Sequence, residues 1–188
     1  VNRFFEQFNT VMMTMIDIML KVAPIGIFCL IARTFANLGI TGMMPMLKFI
    51  LTVYGGLFIQ LFIVYAIIFV LFTRLNPFRF LRKMLPVILF PFSTSSSNAT
   101  IPLNLETLER KCGVDEKVAS FTIPLGATIN MSGTAIMQGV AVVFVAQAFG
   151  IDLSTSALMT VVITAVTAAI GTAGVPGVGT IMLAMVFE

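Results

Sequence analysis

Three polar clusters lie inside long apolar runs, and their residue types suit the binding of small anions and cations. The first is FSTSSSNAT, Phe92 to Thr100, where eight consecutive Ser, Thr, Asn and Ala residues sit in the uncharged run Met84 to Leu105. Its hydroxyls and backbone N–H groups, Ser93 to Asn98, are suited to a carboxylate. The second is NMSGT, Asn130 to Thr134, in the middle of a 34-residue uncharged run from Val118 to Ile151. Asn, Ser and Gly compete with helical backbone bonding, so an unwound helix is expected there. The third is GTAGVPGVG, Gly171 to Gly179, with four glycines and one proline in nine residues, which cannot be a regular helix. Half-helix N-termini offer unpaired N–H groups to anions, and unwound carbonyls offer oxygen to Na⁺. Each cluster has a plainer alternative: a polar turn for the serines, interhelical hydrogen bonding for Asn130, Ser132 and Thr134, and close helix packing for the glycines. Gln138 lies four residues beyond Thr134, on the same helical face if the helix has resumed.

The elements that must position these clusters are those of a membrane protein. The composition is 59% apolar and 10% charged, with a mean hydropathy of +1.06, against about 25% charged in an average soluble domain. The net charge of +3 is no evidence for nucleic-acid binding. There is no histidine, which excludes His-based zinc sites and Ser-His-Asp triads. A serine nucleophile would need another base, and none lies inside the three uncharged runs, so an enzyme is not expected. Cys29 and Cys112 lie in unlike contexts and imply no disulfide or metal framework. No signal peptide is evident, and the start at Val1 and the end at Glu188 are expected to be interior to a longer sequence.

The run from about Thr10 to Ala36 holds Asp17, Lys21 and Arg33, with a kink expected at Pro24. Phe49 to Phe72 has 24 uncharged residues, about 36 Å as a helix, enough to span a bilayer with tilt. Arg74 to Lys83 reads as a basic cytoplasmic loop, and Asn37 to Lys48 as a loop on the other side. Val118 to Ile151 would be about 51 Å long as one straight helix, more than the hydrocarbon core needs. Irregular polar backbone at membrane depth is tolerated only where protein buries it or it lines a cavity. The serine cluster therefore reads as the tip of a re-entrant hairpin whose charged flank, Glu106 to Lys117, returns to the cytoplasm. The glycine cluster reads as the tip of a second hairpin entering from outside, acting as a flexible gate. The expected fold is all-α: transmembrane helices (residues 1–75), a first re-entrant hairpin (76–117), a broken helix (118–151), and a second, oppositely oriented hairpin (152–188). Broken segments meeting near midplane are the signature of a transporter site. Polar re-entrant loops also build channel filters, so an ion channel is a competing reading.

SSSNATIP, GATINMSGTA and IGTAGVPG-G, with APIGIF (Ala23 to Phe28) before them, resemble in order the motifs of the glutamate transporter family, the dicarboxylate/amino acid:cation symporters. The resemblance runs from about Val1 to Glu188. It implies a multi-pass homotrimer in the plasma membrane, a bacterial inner membrane being expected, whose transport domain moves like an elevator. It implies sodium as the co-transported ion and an anionic small-molecule substrate, glutamate, aspartate or a C4-dicarboxylate; some members take neutral amino acids, and the family also conducts anions. By match, Ser96, Ser97 and Asn98 contact substrate, Thr134 binds its carboxylate, and Val175 and Gly179 close over it. Sodium meets backbone carbonyls of Gly126, Thr128 and Asn130, and of Ala169, Ile170 and Thr172, and the Asn130 side chain serves a further cation site. Two positions depart from the pattern. Ser132 stands where the family usually has Asp, so one sodium site is expected to be weakened or lost. Gln138 stands where proton-coupled animal members have Glu, so no proton coupling is expected there. The family's first scaffold helices and its last helix, which selects acidic side chains through an arginine, fall outside this chain.

Overall fold

A computed structural model describes residues 2–187, which form helices joined by short connections, with no strand among the described residues. The order is α1 (Asn2–Ile59), a π turn (Gln60–Val64), α2 (Tyr65–Thr73), α3 (Pro77–Thr94), α4 (Ser97–Thr107), a second π turn (Leu108–Cys112), α5 (Glu116–Ile129), α6 (Ser132–Ala148), α7 (Thr155–Ile170) and α8 (Val178–Phe187). The chain divides into two compact units, Val1–Lys48 and Phe49–Glu188.

In the first unit, the loop expected from Asn37 to Lys48 is instead helix. Helical dihedrals are lost at Gly39 (φ 64°, ψ −177°) rather than at Pro24. A positive φ is open to glycine at no steric cost, whereas the apolar residues that follow have no reason to leave the helix. The Asp17 side chain lies outside the described residues; Lys21 and Arg33 are exposed.

The second unit carries all three clusters. Two segments, Met44–Thr73 and Glu116–Ala148, are long and apolar enough to cross a membrane by length and composition. The outer face is apolar, with Leu71, Phe72 and Phe92 among its exposed side chains. The interior is built from small residues, with Ala119, Ala141, Ala146, Ala165 and Ala169 buried. Small side chains let helix backbones approach closely, the packing mode available where lipid offers no hydrophobic contrast. Where the end of α1 meets α6, a Cβ on Gly56 would lie 3.0 Å from Ile136 Cγ2, and the rings of Phe49 and Phe144 meet at a tilt of 44° with centroids 5.2 Å apart.

The connections are shorter than the sequence suggests. The basic stretch Arg74 to Lys83 is a loop only at Arg74–Asn76. Asn76 Oδ1 accepts from Phe78 N–H (2.9 Å) and Arg79 N–H (3.3 Å), and Pro77 follows, so α3 starts at once. The flank Glu106 to Lys117 is likewise mostly helix and π turn, ending at Gly113 (φ 71°) before Asp115 caps α5. Lys83 Nζ donates to Lys111 O (2.7 Å), tying the base of α3 to this turn. Helices α3 and α4 pack as one antiparallel pair, α7 and α8 as another, and α6 packs on both members of the second pair.

Candidate functional site

All three clusters interrupt helices, and each interruption has a local cause. At the serine tip, Ser95 takes a left-handed conformation (φ 53°, ψ 26°) and its N–H donates to Pro91 O (2.7 Å), closing α3. Ser96 is extended and caps α4, its Oγ accepting from Ala99 N–H (3.2 Å). The tip is thus two residues long, and Ser97, Asn98 and Thr100 belong to the first turns of α4. The break in the next helix is equally short. Asn130 and Met131 leave helical geometry, while Ser132, Gly133 and Thr134 already form the first turn of α6. At the glycine tip, residues 171–177 are irregular, Gly177 has φ 82°, and Gly179 is inside α8.

These interruptions meet. Ser96 Oγ donates to Gly174 O (3.0 Å), and Asn98 N–H donates to the same carbonyl (3.1 Å). The serine tip and the glycine tip are therefore joined at one acceptor. The approach requires glycine: a Cβ at 174 would lie 2.7 Å from Asn98 Oδ1, 3.1 Å from Ser97 Cβ and 3.2 Å from Ala127 O. Ala127 places the C-terminal end of α5 against the same point. A second approach lies alongside, where a Cβ on Gly179 would sit 3.1 Å from Thr134 Cγ2. Gln138, fully buried, donates from Nε2 to Gly179 O (3.0 Å), anchoring α8 on α6. The Tyr65 hydroxyl lies 2.5 Å from Ser132 Oγ and donates to Asn130 Oδ1 (3.3 Å), so α2 reaches both sides of the break.

Ends of opposite polarity thus gather in one region. The N-termini of α4, α6 and α8 carry partial positive charge, and the C-termini of α3, α5 and α7 carry partial negative charge. None of the side chains named in it carries a formal charge. A cavity of about 410 Å³ opens between α3, α4 and α5, lined by Ser97, Thr100, Asn104, Gly126, Ala127 and Asn130 among others. Within it the buried Asn104 Oδ1 has no hydrogen-bond partner among the described residues.

The expected site residues fall into three groups. Ser96, Ser97 and Asn98 come together with Gly174, Thr134 comes together with Gly179, and Asn130 with Ser132. The expected cation carbonyls lie at helix C-termini: Gly126 O accepts from Asn130 N–H (2.9 Å) and Ala169 O from Thr172 N–H (3.1 Å). Each carbonyl has a second lone pair. Thr128 Oγ1 donates back to Leu125 O (2.9 Å), so its proton is used within its own helix. Thr172 is buried and its Oγ1 donates to Ala168 O (2.9 Å), whereas Ile170 is exposed. Val175 N–H folds back on Ala173 O (2.9 Å) in a local turn. Sequence reasoning did not single out Tyr65, Gly174 or Asn104. Tyr65 had a signal, since it is one of only two tyrosines and lies in an uncharged run.

The profile of the sodium:dicarboxylate symporter family matches residues 1–188. The chain belongs to that family. Its relatives include the neutral amino acid transporter B(0) of Mus musculus, 37% identical over 99% of this chain and 34% of that protein. They also include the neutral amino acid transporter A of Bos taurus, 37% identical over 99% of this chain and 36% of that protein. Excitatory amino acid transporter 1 of Mus musculus is 36% identical over 99% of this chain and 35% of its own length. The chain therefore spans about a third of the length of these relatives.

Proposed function

We propose that the complete protein is a sodium-coupled secondary symporter that takes up acidic amino acids or C4-dicarboxylates across the plasma membrane. The observation that carries this reading is the meeting of two helix-pair tips at the Gly174 carbonyl, beside a broken helix. In this reading α3 with α4, and α7 with α8, are re-entrant hairpins of opposite orientation. Residues 76–117 and 152–188 form the two hairpins, 118–151 the broken helix and 1–75 transmembrane helices. The N-terminal N–H groups of α4, with Ser96, Ser97, Asn98 and Thr134, receive the substrate carboxylate. Val175 and Gly179 close over it. Sodium is held by carbonyls of Gly126, Thr128, Asn130, Ala169, Ile170 and Thr172, where helix C-termini supply partial negative charge. Ser132 leaves the site at the break without a carboxylate, so that site holds sodium weakly. Trimeric assembly, elevator movement and a bacterial inner membrane complete the reading.

A second reading, a sodium-coupled neutral amino-acid symporter, is favoured by relatives named as neutral amino acid transporters at 37% identity. Uptake of labelled aspartate and of labelled alanine into liposomes carrying the complete protein separates the two. Accumulation of aspartate only under an inward sodium gradient is the expected result. Accumulation of alanine alone selects the neutral reading, and currents without uptake of either refute symport.

A further inference from the structure

The Tyr65 hydroxyl touches both sides of the helix break, and the donor count there is closed. Asn130 Oδ1 can only accept, and a tyrosine has one hydroxyl proton. With that proton on Asn130 (3.3 Å), Ser132 must be the donor across the 2.5 Å contact to Tyr65. The three groups form a one-way chain, Ser132 O–H to Tyr65 O–H to Asn130 O. Asn130 ends α5 and Ser132 begins α6, so the chain staples the two half-helices across Met131. The placement of Tyr65 also has a visible cause. It directly follows the π turn Gln60–Val64, and its N–H donates to Gln60 O. A π turn adds a residue to a turn and rotates the following helix by about 100°, which re-aims side chains beyond it.

Building on the symport reading above, we propose that Tyr65 takes the place of a cation at this helix break, holding the Asn130 and Ser132 side chains together with uncharged hydrogen bonds. A cation entering there needs lone pairs from both side chains. It would sit beside the hydroxyl protons of Tyr65 and Ser132, whose partial positive charge opposes it. No carboxylate stands in the cluster to offset the lost hydration of the ion. Tyr65 is thus a positioning residue for the break, acting through Asn130 and Ser132.

The test compares wild type, Tyr65→Phe, Ser132→Asp and the Ser132→Asp/Tyr65→Phe double variant in the complete protein reconstituted in lipid. Binding of labelled aspartate (or of alanine, if only alanine is taken up) is titrated with sodium. Amide exchange across residues 129–134 is followed in sodium-free buffer. Tyr65→Phe is expected to weaken substrate binding and speed exchange at the break, each about threefold to tenfold, from the loss of hydrogen bonds. It leaves the steepness of the sodium titration unchanged, and exchange in α7 unchanged as a control for folding. Ser132→Asp adds steepness, and in the double variant the added sodium binds at lower concentration, because the competing tyrosine bond is gone. Two results overturn the proposal: a shallower sodium titration for Tyr65→Phe alone, which makes Tyr65 a cation ligand, or unaltered exchange at the break. If wild-type binding ignores sodium altogether, the symport reading fails, and the sodium-free exchange still decides whether Tyr65 staples the break.

Discussion

Replacing Gly174 with alanine should pull the two tips apart. The added Cβ would meet Asn98 Oδ1 at 2.7 Å, Ser97 Cβ at 3.1 Å and Ala127 O at 3.2 Å. Asn98 is exposed and its amide can swing away, but Ala127 O is backbone of α5 and Ser97 is fixed in the first turn of α4. Forcing a methyl group into such a space costs about 1–3 kcal/mol. Escaping the clash means giving up the bonds from Ser96 Oγ (3.0 Å) and Asn98 N–H (3.1 Å) to Gly174 O. Two such bonds are together worth about 1–3 kcal/mol. The two routes cost the same, so the closed contact loses about 1–3 kcal/mol either way. That corresponds to about a 5-fold to 150-fold rise in the open population. Hydrogen exchange of residues 96–99 and 172–178 in the complete protein reads it directly. Gly171→Ala is the control, because its Cβ would make only ordinary contacts, the nearest 3.6 Å from Ala168 O. If Gly174→Ala exchanges no faster than Gly171→Ala, the tips are not held by this contact and the reasoning is wrong.

Three further outcomes are expected. Ser96→Ala removes the cap on α4 and the bond to Gly174 together, at about 1 kcal/mol each, and should speed exchange at 97–100 and lower thermal stability. Gly179→Ala pushes on Thr134, whose Cγ2 would lie 3.1 Å away; substrate affinity should fall up to about tenfold in a binding titration, about 1.4 kcal/mol. Wild-type substrate affinity should be flat between about pH 5 and 8, the range in which a side chain such as histidine changes charge, since the site has none. Gln138→Glu should break that flatness: only the protonated acid can donate to Gly179 O, so affinity falls as pH rises. A flat profile for Gln138→Glu would mean that the Gly179 bond does not matter for binding.

The helical class and the positions of the three interruptions were legible because helix-breaking residues stand out against uncharged runs. The lengths of the interruptions were not. Composition marks Phe92 to Thr100 as polar, yet a helix needs only a cap to resume, and Ser96 provides it within two residues. The same happens at Asn130, where Gly133 and Thr134 are tolerated in the first turn of α6. Asn76 and Pro77 start α3 inside a stretch whose charges alone spell a loop. The pairing of tips was invisible for another reason. Gly174 O is a backbone atom, and its partners lie 76 and 78 positions away in sequence (174 minus 98 and 174 minus 96). Tyr65 escaped notice because a single hydroxyl in an apolar helix looks like filler until the π turn before it is known.

The contacts that join these helices end largely on main-chain oxygen, at Gly174 and Gly179. Main-chain acceptors are present whatever side chain the position carries. A systematic scan that trims side chains to alanine would therefore report the donors, Ser96 and Gln138, and leave the acceptors untouched. The acceptor side would show only at the glycines, the positions where alanine is an addition. Sequence drift at the tips is correspondingly constrained by volume on the acceptor side, and on the donor side by the hydrogens that Ser96 and Gln138 supply.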